Sequence, residues 1–168
     1  MSENIKPPAR LSYRFVLDVH LGKLARHLRM VGFDTLWKDD YTDPELLEIS
    51  KTDDRILLTR DRALSESADP ALCHYVKATD PDEQLIEIAD HFDLRTKISS
   101  MQGFLSRCLQ CNSPILPVKP HQLEDRLPGH VRLQFSEFFL CPRCERVYWK
   151  GSHFDRMWER VKLLMSKG

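Results

Sequence analysis

The first residues of this chain whose types and spacing can do chemistry are aspartates placed where apolar runs stop. Asp18 follows directly on residues 13–17, and Asp61 follows Arg60 after Ile56-Leu57-Leu58-Thr59. Short runs without alternation suit strands buried on both faces, as in a parallel sheet under helices. In open α/β sheets, ligands bind beyond the carboxyl ends of the strands. Asp39 and Asp40 follow another such run at residues 33–37, Asp80 follows one at 73–77, and Asp43 opens the next helix. All these acids then fall along one edge. Carboxylates crowded together repel unless a cation lies among them. Hard divalent ions such as Mg²⁺ or Mn²⁺ take carboxylate oxygens and keep several waters. An ion so held activates water and stabilises the charge of an in-line phosphate displacement. A plainer reading stands beside this one. Asp43 and Asp80 each precede a proline at a helix start and can be caps alone. Asp34, Asp39 and Asp40 can be solvated loop residues. Asp18 and Asp61 carry the metal expectation, because a plain turn after an apolar strand more often uses Gly or Asn.

A second constellation is made of thiols. Cys108-Leu109-Gln110-Cys111 and Cys141-Pro142-Arg143-Cys144 are two C-x-x-C knuckles separated by 29 residues. Each sets two thiolates at the spacing of a tetrahedral zinc site. Four cysteines leave no open position, so the expected zinc is structural. A redox pair or a disulfide is the alternative, and no secretory signal supports the disulfide. Cys73, inside an apolar run, reads as a small core residue.

These residues need elements to position them. Residues 13–17, 33–37, 56–59 and 73–77 read as strands. Leu21, Leu24, Leu28 and Val31 recur at helical spacing, with Ala25 beside them and Gly32 as the terminator. Asp43-Pro44 and Asp80-Pro81 each read as cap plus first turn of a helix. Leu85, Ile88, Ala89 and Phe92 form the inner face of the second of these. Residues 65–70 read as a polar loop. The alternation predicts an α/β fold with a parallel sheet. Between the knuckles, prolines mark turns and residues 131–135 look strand-like. Phe154, Met157, Trp158, Val161, Leu164 and Met165 predict a last helix that packs on the main domain or serves a partner.

Composition bounds the class. The chain has 168 residues, 42% of them hydrophobic and 30% charged, enough for a core in one domain with a small appendage. No apolar run approaches the roughly 20 residues of a membrane span, and residues 1–12 read as a polar, flexible tail rather than a signal peptide. A cytoplasmic protein is expected. The formal charge is zero overall, but residues 1–100 sum to −5 and residues 101–168 to +5. An acidic half beside a basic half fits metal-binding carboxylates next to a nucleic-acid surface; ordinary solvated surface is the alternative.

Asp18-Val19-His20-Leu21-Gly22-Lys23-Leu24-Ala25-Arg26-His27-Leu28-Arg29, then Gly32-Phe33-Asp34-Thr35, then Leu58-Thr59-Arg60-Asp61, resemble the motifs of the Mut-seven C-terminal RNase domain family. So do the two knuckles and Val147-Tyr148-Trp149-Lys150-Gly151-Ser152-His153. The resemblance covers roughly residues 14–157. It implies a small PIN-like parallel sheet flanked by helices and followed by a four-cysteine zinc ribbon, acting on RNA. It further implies a metal-dependent ribonuclease, with a nuclease domain over 13–98, a ribbon over 99–152 and a C-terminal helix over 153–168. By that resemblance Asp18 and Asp61 hold Mg²⁺ or Mn²⁺. Asp43 best fits the middle acid, with Asp39 or Asp40 as substitutes, and Asp80 is the fourth candidate. Lys23, Arg26, Arg29, Arg60 and Arg62 are expected to hold phosphates. Arg107, Arg143, Arg146 and Lys150 accompany Tyr148 and Trp149, a combination suited to single-stranded RNA. Packing of the ribbon against the main domain is the alternative for the two aromatics. His153 either meets substrate, moves a proton or starts the last helix. The rival to an enzyme is an inactive RNA-binding or adaptor protein.

Overall fold

The computed structural model describes residues 13–123 and 125–167, so the expected tail at 1–12 lies outside the described residues. Four strands form a parallel sheet in the first half. β1 (Arg14–Leu17) leads through a 3-10 turn into α1 (Gly22–Met30), then β2 (Asp34–Leu36) and α2 (Asp43–Thr52). β3 (Ile56–Thr59), α3 (Arg62–Ser67), β4 (Cys73–Tyr75), α4 (Pro81–His91) and α5 (Arg95–Ser99) follow. The sheet order is β2-β1-β3-β4, and every neighbouring pair is parallel.

The two central strands carry the core, as unbroken apolar runs should. Phe15, Leu17, Ile56 and Leu58 point to one face, where Leu24, Leu28, Leu85 and Ile88 of α1 and α4 cover them. Val16 and Leu57 point to the other, against Leu46 of α2 and Leu64 of α3. Gly32 ends α1 with φ at +99°, and a Cβ there would collide with the Gly103 backbone. Glycine is required on both counts.

Two local readings are corrected. The cap of α2 is Thr42, not Asp43. Thr42 and Glu45 exchange bonds in a capping box, which leaves Asp43 as the first helical residue. The polar stretch read as a loop at 65–70 begins inside α3. Its N-cap is Asp61, which accepts from the Leu64 amide, and Leu64 is buried beneath it.

The second half holds an antiparallel sheet of β5 (Leu116–Val118), β6 (Phe138–Leu140) and β7 (Val147–Trp149), with α6 (Gly129–Gln134) inserted. The strand expected at 131–135 is therefore a helix. Val131 and Phe135 are four apart, which satisfies either period. Leu133, which a half-buried strand would turn inward with them, is 90% exposed instead. The last helix, α7 (Ser152–Met165), returns to the first half. Val161, Leu164 and Met165 join its main core. Arg160 pairs with Asp82 at 2.6 Å, and Arg95 donates to the Met165 carbonyl at 2.7 Å. Among the described residues no helix is long and apolar enough to cross a membrane.

Candidate active site and metal centre

Asp18 sits where β1 ends, caps the 3-10 turn behind it, and is only 3% exposed. Its Oδ1 accepts from the His20 amide at 2.9 Å. Its Oδ2 accepts from the Arg60 amide at 2.8 Å and from the Thr59 hydroxyl. The same hydroxyl accepts from the Asp61 amide at 2.9 Å. Thr59 thus ties the two strand-end acids together through one buried oxygen. Asp61 is exposed, and its Oδ1 accepts from Leu64 N at 3.1 Å. Trp37 donates its ring N–H to the Asp18 carbonyl at 3.1 Å, closing the turn from the β2 side.

The other acids are spread along this edge. Asp80 caps α4, its Oδ1 accepting from Asp82 N at 2.9 Å and Glu83 N at 3.3 Å. Asp43 lies exposed in the first turn of α2, and Asp39 and Asp40 are exposed in the preceding turn. Among the described residues, the one group of three or more His, Cys, Asp or Glu side chains close enough to share an ion is the four cysteines. The fold therefore joins Asp18 to Asp61 through Thr59, and leaves Asp43 and Asp80 out of any such group. Carboxylate oxygens at a sheet edge are the donor type that Mg²⁺ or Mn²⁺ takes; Asp18 and Asp61 would be the residues to hold such an ion.

The basic residues expected to hold phosphates divide in two. Lys23 and Arg26 are exposed on α1 and line a cavity of about 580 Å³. That cavity also takes in His20 and Trp37, beside the Asp18 turn. Arg62 is exposed, 5.9 Å over the Tyr75 ring. Arg29 is buried away from solvent, and Arg60 is half-buried. Arg60 turns its guanidinium under the loop after β4, donating to the carbonyls of Val76, Lys77 and Ala78. Its contribution to the site is the backbone N–H given to Asp18. Arg29 is 3% exposed and donates to Thr35 O at 2.9 Å, Leu109 O at 3.1 Å and Gln110 O at 2.9 Å. It joins α1 and β2 to the first knuckle.

Asn112, the residue after that knuckle, completes the joint. Its Oδ1 accepts from Thr35 N, and its Nδ2 donates to Asp34 Oδ1 at 2.7 Å. An amide on edge strand β2 that would otherwise lack a sheet partner is thereby satisfied. Asp34 also accepts from Arg55 at 2.8 and 3.2 Å, with Arg107 at 3.9 Å. Burial works against its charge, yet the bonds from Arg55 and Asn112 and the nearby cations hold its pKa below the ordinary value. Asp34 is no solvated loop residue. Sequence reasoning missed Thr59, Asn112 and Arg55 as a positioning set. The signal for Asn112 was an αL-tolerant residue directly after a C-x-x-C pair.

The four thiols of Cys108, Cys111, Cys141 and Cys144 all lie within 4.8 Å of one another. Cys108–Cys144 and Cys111–Cys141 are each 3.4 Å apart. Tetrahedral Zn–S bonds of about 2.3 Å place sulfurs about 3.8 Å apart, so the cluster fits zinc with little adjustment. Burial opposes the Cys111 thiolate, but hydrogen bonds from Ser113 and neighbouring thiols outweigh it and draw its pKa down to about 6. Burial and the same neighbours push Cys144 up to about 12. Thiols this close do not all ionise without a cation to share. The Tyr148 hydroxyl lies 3.1 Å from Cys108 Sγ and accepts from Leu109 N at 3.1 Å. That aromatic packs within the ribbon, against its cysteine cluster. Trp149 and His153 line a larger cavity of about 1120 Å³. His153 is exposed in the first turn of α7, whose N-cap, Gly151, has no side chain to offer.

No curated protein and no solved structure matches this chain. The Mut7-C RNAse domain model matches residues 13–161, spanning both the strand-end acids and the cysteine centre, and the chain belongs to that family.

Proposed function

We propose that this protein is a divalent-cation-dependent ribonuclease. The observation that carries the reading is that the Thr59 hydroxyl joins the Asp18 carboxylate to the Asp61 backbone amide at the carboxyl edge of the sheet, with Lys23 and Arg26 lining a cavity beside the Asp18 turn. Asp18 and Asp61 would hold Mg²⁺ or Mn²⁺, which when bound supplies an activated water and neutralises developing charge. Asp43, with Asp39 or Asp40 as substitutes, and Asp80 are the further acids that the family resemblance nominates. Thr59 and the Arg60 amide fix the Asp18 carboxylate, and Lys23 and Arg26 grip the phosphates flanking the scissile one. Water adds to phosphorus and the P–O3′ bond breaks, leaving a 5′-phosphate on one product and a 3′-hydroxyl on the other. No side-chain nucleophile is required.

The test is cleavage of single-stranded RNA by purified protein, wild type against Asp61→Asn, in Mn²⁺ and in EDTA. Cleavage is expected to fall about a hundredfold or more with Asp61→Asn and to vanish in EDTA. Equal cleavage in every arm would remove the mechanism. One observation favours an inactive RNA-binding protein instead: both Asp18 oxygens already accept protein hydrogen bonds, and among the described residues no third carboxylate joins the pair. That reading requires RNA retention with no cleavage by the wild type.

A further inference from the structure

The two cavities meet. Arg26, Leu109 and Gln110 line both of them. Arg26 and Gln110 are exposed, so a cationic group and an amide stand on the saddle between the cavities. The saddle is fixed from below, because Arg29 holds the carbonyls of Leu109 and Gln110. On one side lies the Asp18 turn. On the other lies a space of about 1120 Å³ between β7 and the start of α7, roofed by α6. This is generous for one nucleotide, since small-molecule sites run about 300–1,000 Å³.

The chemistry of the larger space is specific in kind. Trp149 and Phe135 offer aromatic faces; Arg146 and His130 add donors. Glu145, the acid in the wall, already pairs with Arg126 at 3.1 Å. Aromatic faces with arginines bind unstacked bases and the phosphates between them. A duplex keeps its bases stacked and out of reach of such a space. The roof, α6, buries none of its own residues, and its Val131 faces inward while Leu133 is left in solvent.

We propose that the ribbon cavity is a nucleobase subsite for single-stranded RNA, and that a strand seated there crosses Arg26 to bring a phosphate to the Asp18–Asp61 edge. The path of the strand rests on the ribonuclease reading; the subsite itself does not. Binding is therefore measured without cutting, on the full chain carrying Asp61→Asn in EDTA at zinc contents checked to be equal. The probe is a fluorescent ten-nucleotide oligouridylate read by anisotropy. Adding Trp149→Ala or Arg26→Glu is expected to raise Kd about tenfold or more, with duplex RNA bound poorly throughout. Irradiation of a 5-bromouridine version should attach it to Trp149 or its neighbours. Affinities within twofold of the parent for both variants, or crosslinks confined to the Lys23 and Trp37 side, would overturn the subsite. A duplex bound as tightly as the single strand would do the same. Cleavage that survives Asp61→Asn would instead overturn the Asp18–Asp61 mechanism, and with it the path of the strand, and leave the subsite to these measurements alone.

Discussion

The two cysteine knuckles share one backbone design and serve different masters. In each, the residue after the second cysteine has positive φ, +68° at Asn112 and +60° at Glu145. In each, that residue's N–H returns to the carbonyl of the first cysteine, at 3.0 Å and 2.9 Å. The side chains then part company. Asn112 is buried and holds β2 by its backbone and by Asp34. The Glu145 side chain is 70% exposed and meets Arg126 on the surface. The first knuckle is therefore part of the parallel-sheet half, and the second belongs to the antiparallel ribbon. A metal held between them would join the halves rather than serve one alone.

The hardest way to break that comparison is to remove the metal. Among the described residues the ribbon's apolar cluster has only Cys108, Ile115 and Cys141 as buried members, whereas the sheet half has one large core and a second small cluster, neither using a zinc thiol. Structural zinc contributes on the order of 10 kcal/mol to folding in small sites. Stripping zinc, or Cys141→Ser, is expected to abolish hydrogen-exchange protection across β5 to β7 and to leave β1 and β3 protected. Uniform loss along the chain would show that the halves do not fold separately.

Arg29→Met comes next. It removes the donor from the buried Thr35 carbonyl and from the half-buried carbonyls of Leu109 and Gln110, and an unmet buried group costs about 1–3 kcal/mol. A loss near 3 kcal/mol in urea unfolding, with zinc still bound, is expected. A loss under 1 kcal/mol would mean the first knuckle is held by the metal alone.

Arg29 also shows how far the sequence could be read. The central strands were plain, because Ile56-Leu57-Leu58 and Phe15-Val16-Leu17 are buried on both faces and carry no competing pattern. The knuckles were plain because four thiolates at that spacing have few other uses. Arg29 was misread as a phosphate contact, although it follows Ala25 by four residues and so shares a buried helical face. Its charge outweighed its position. The Arg60 backbone N–H given to Asp18 was not legible, because no side-chain pattern reveals such a bond. The helix α6 was missed because residues four apart satisfy both periods, and only the cavity beneath it decides between them.

A finer cut uses glycine at both knuckles. Glycine takes positive φ without strain, so it removes each side chain and keeps each turn. Asn112→Gly abandons the Thr35 amide and one Asp34 bond, and is expected to cost about 2 kcal/mol. Glu145→Gly relieves a left-handed residue and loses only a surface pair, so it should be neutral or stabilise by up to about 1 kcal/mol. Paired urea melts at fixed zinc measure the difference. Equal effects would mean that the two knuckles are equivalent after all.

The smallest effect concerns acid, and it lies wholly in the sheet half. Glu87 on α4 accepts from His74 at 2.9 Å and from the amides of Lys77 and Ala78 at 3.0 and 2.8 Å. Burial opposes its charge, but these bonds outweigh burial and hold its pKa below the ordinary carboxylate value. A carboxylate depressed by folding stabilises fully above its unfolded pKa of about 4.3, and that stabilisation fades as pH falls through the folded value. Glu87→Gln lacks this dependence. Wild type should therefore exceed Glu87→Gln in stability at pH 7 by about 1 kcal/mol, and the gap should close as the pH is lowered below about 4. Taking the difference between two proteins with the same knuckles cancels the acid loss of zinc, which both share. A gap that stays constant with pH would assign Glu87 a neutral hydrogen-bonding role. The loop it holds is the one whose carbonyls fix Arg60, so a closing gap would also mark where acid begins to loosen the support of Asp18.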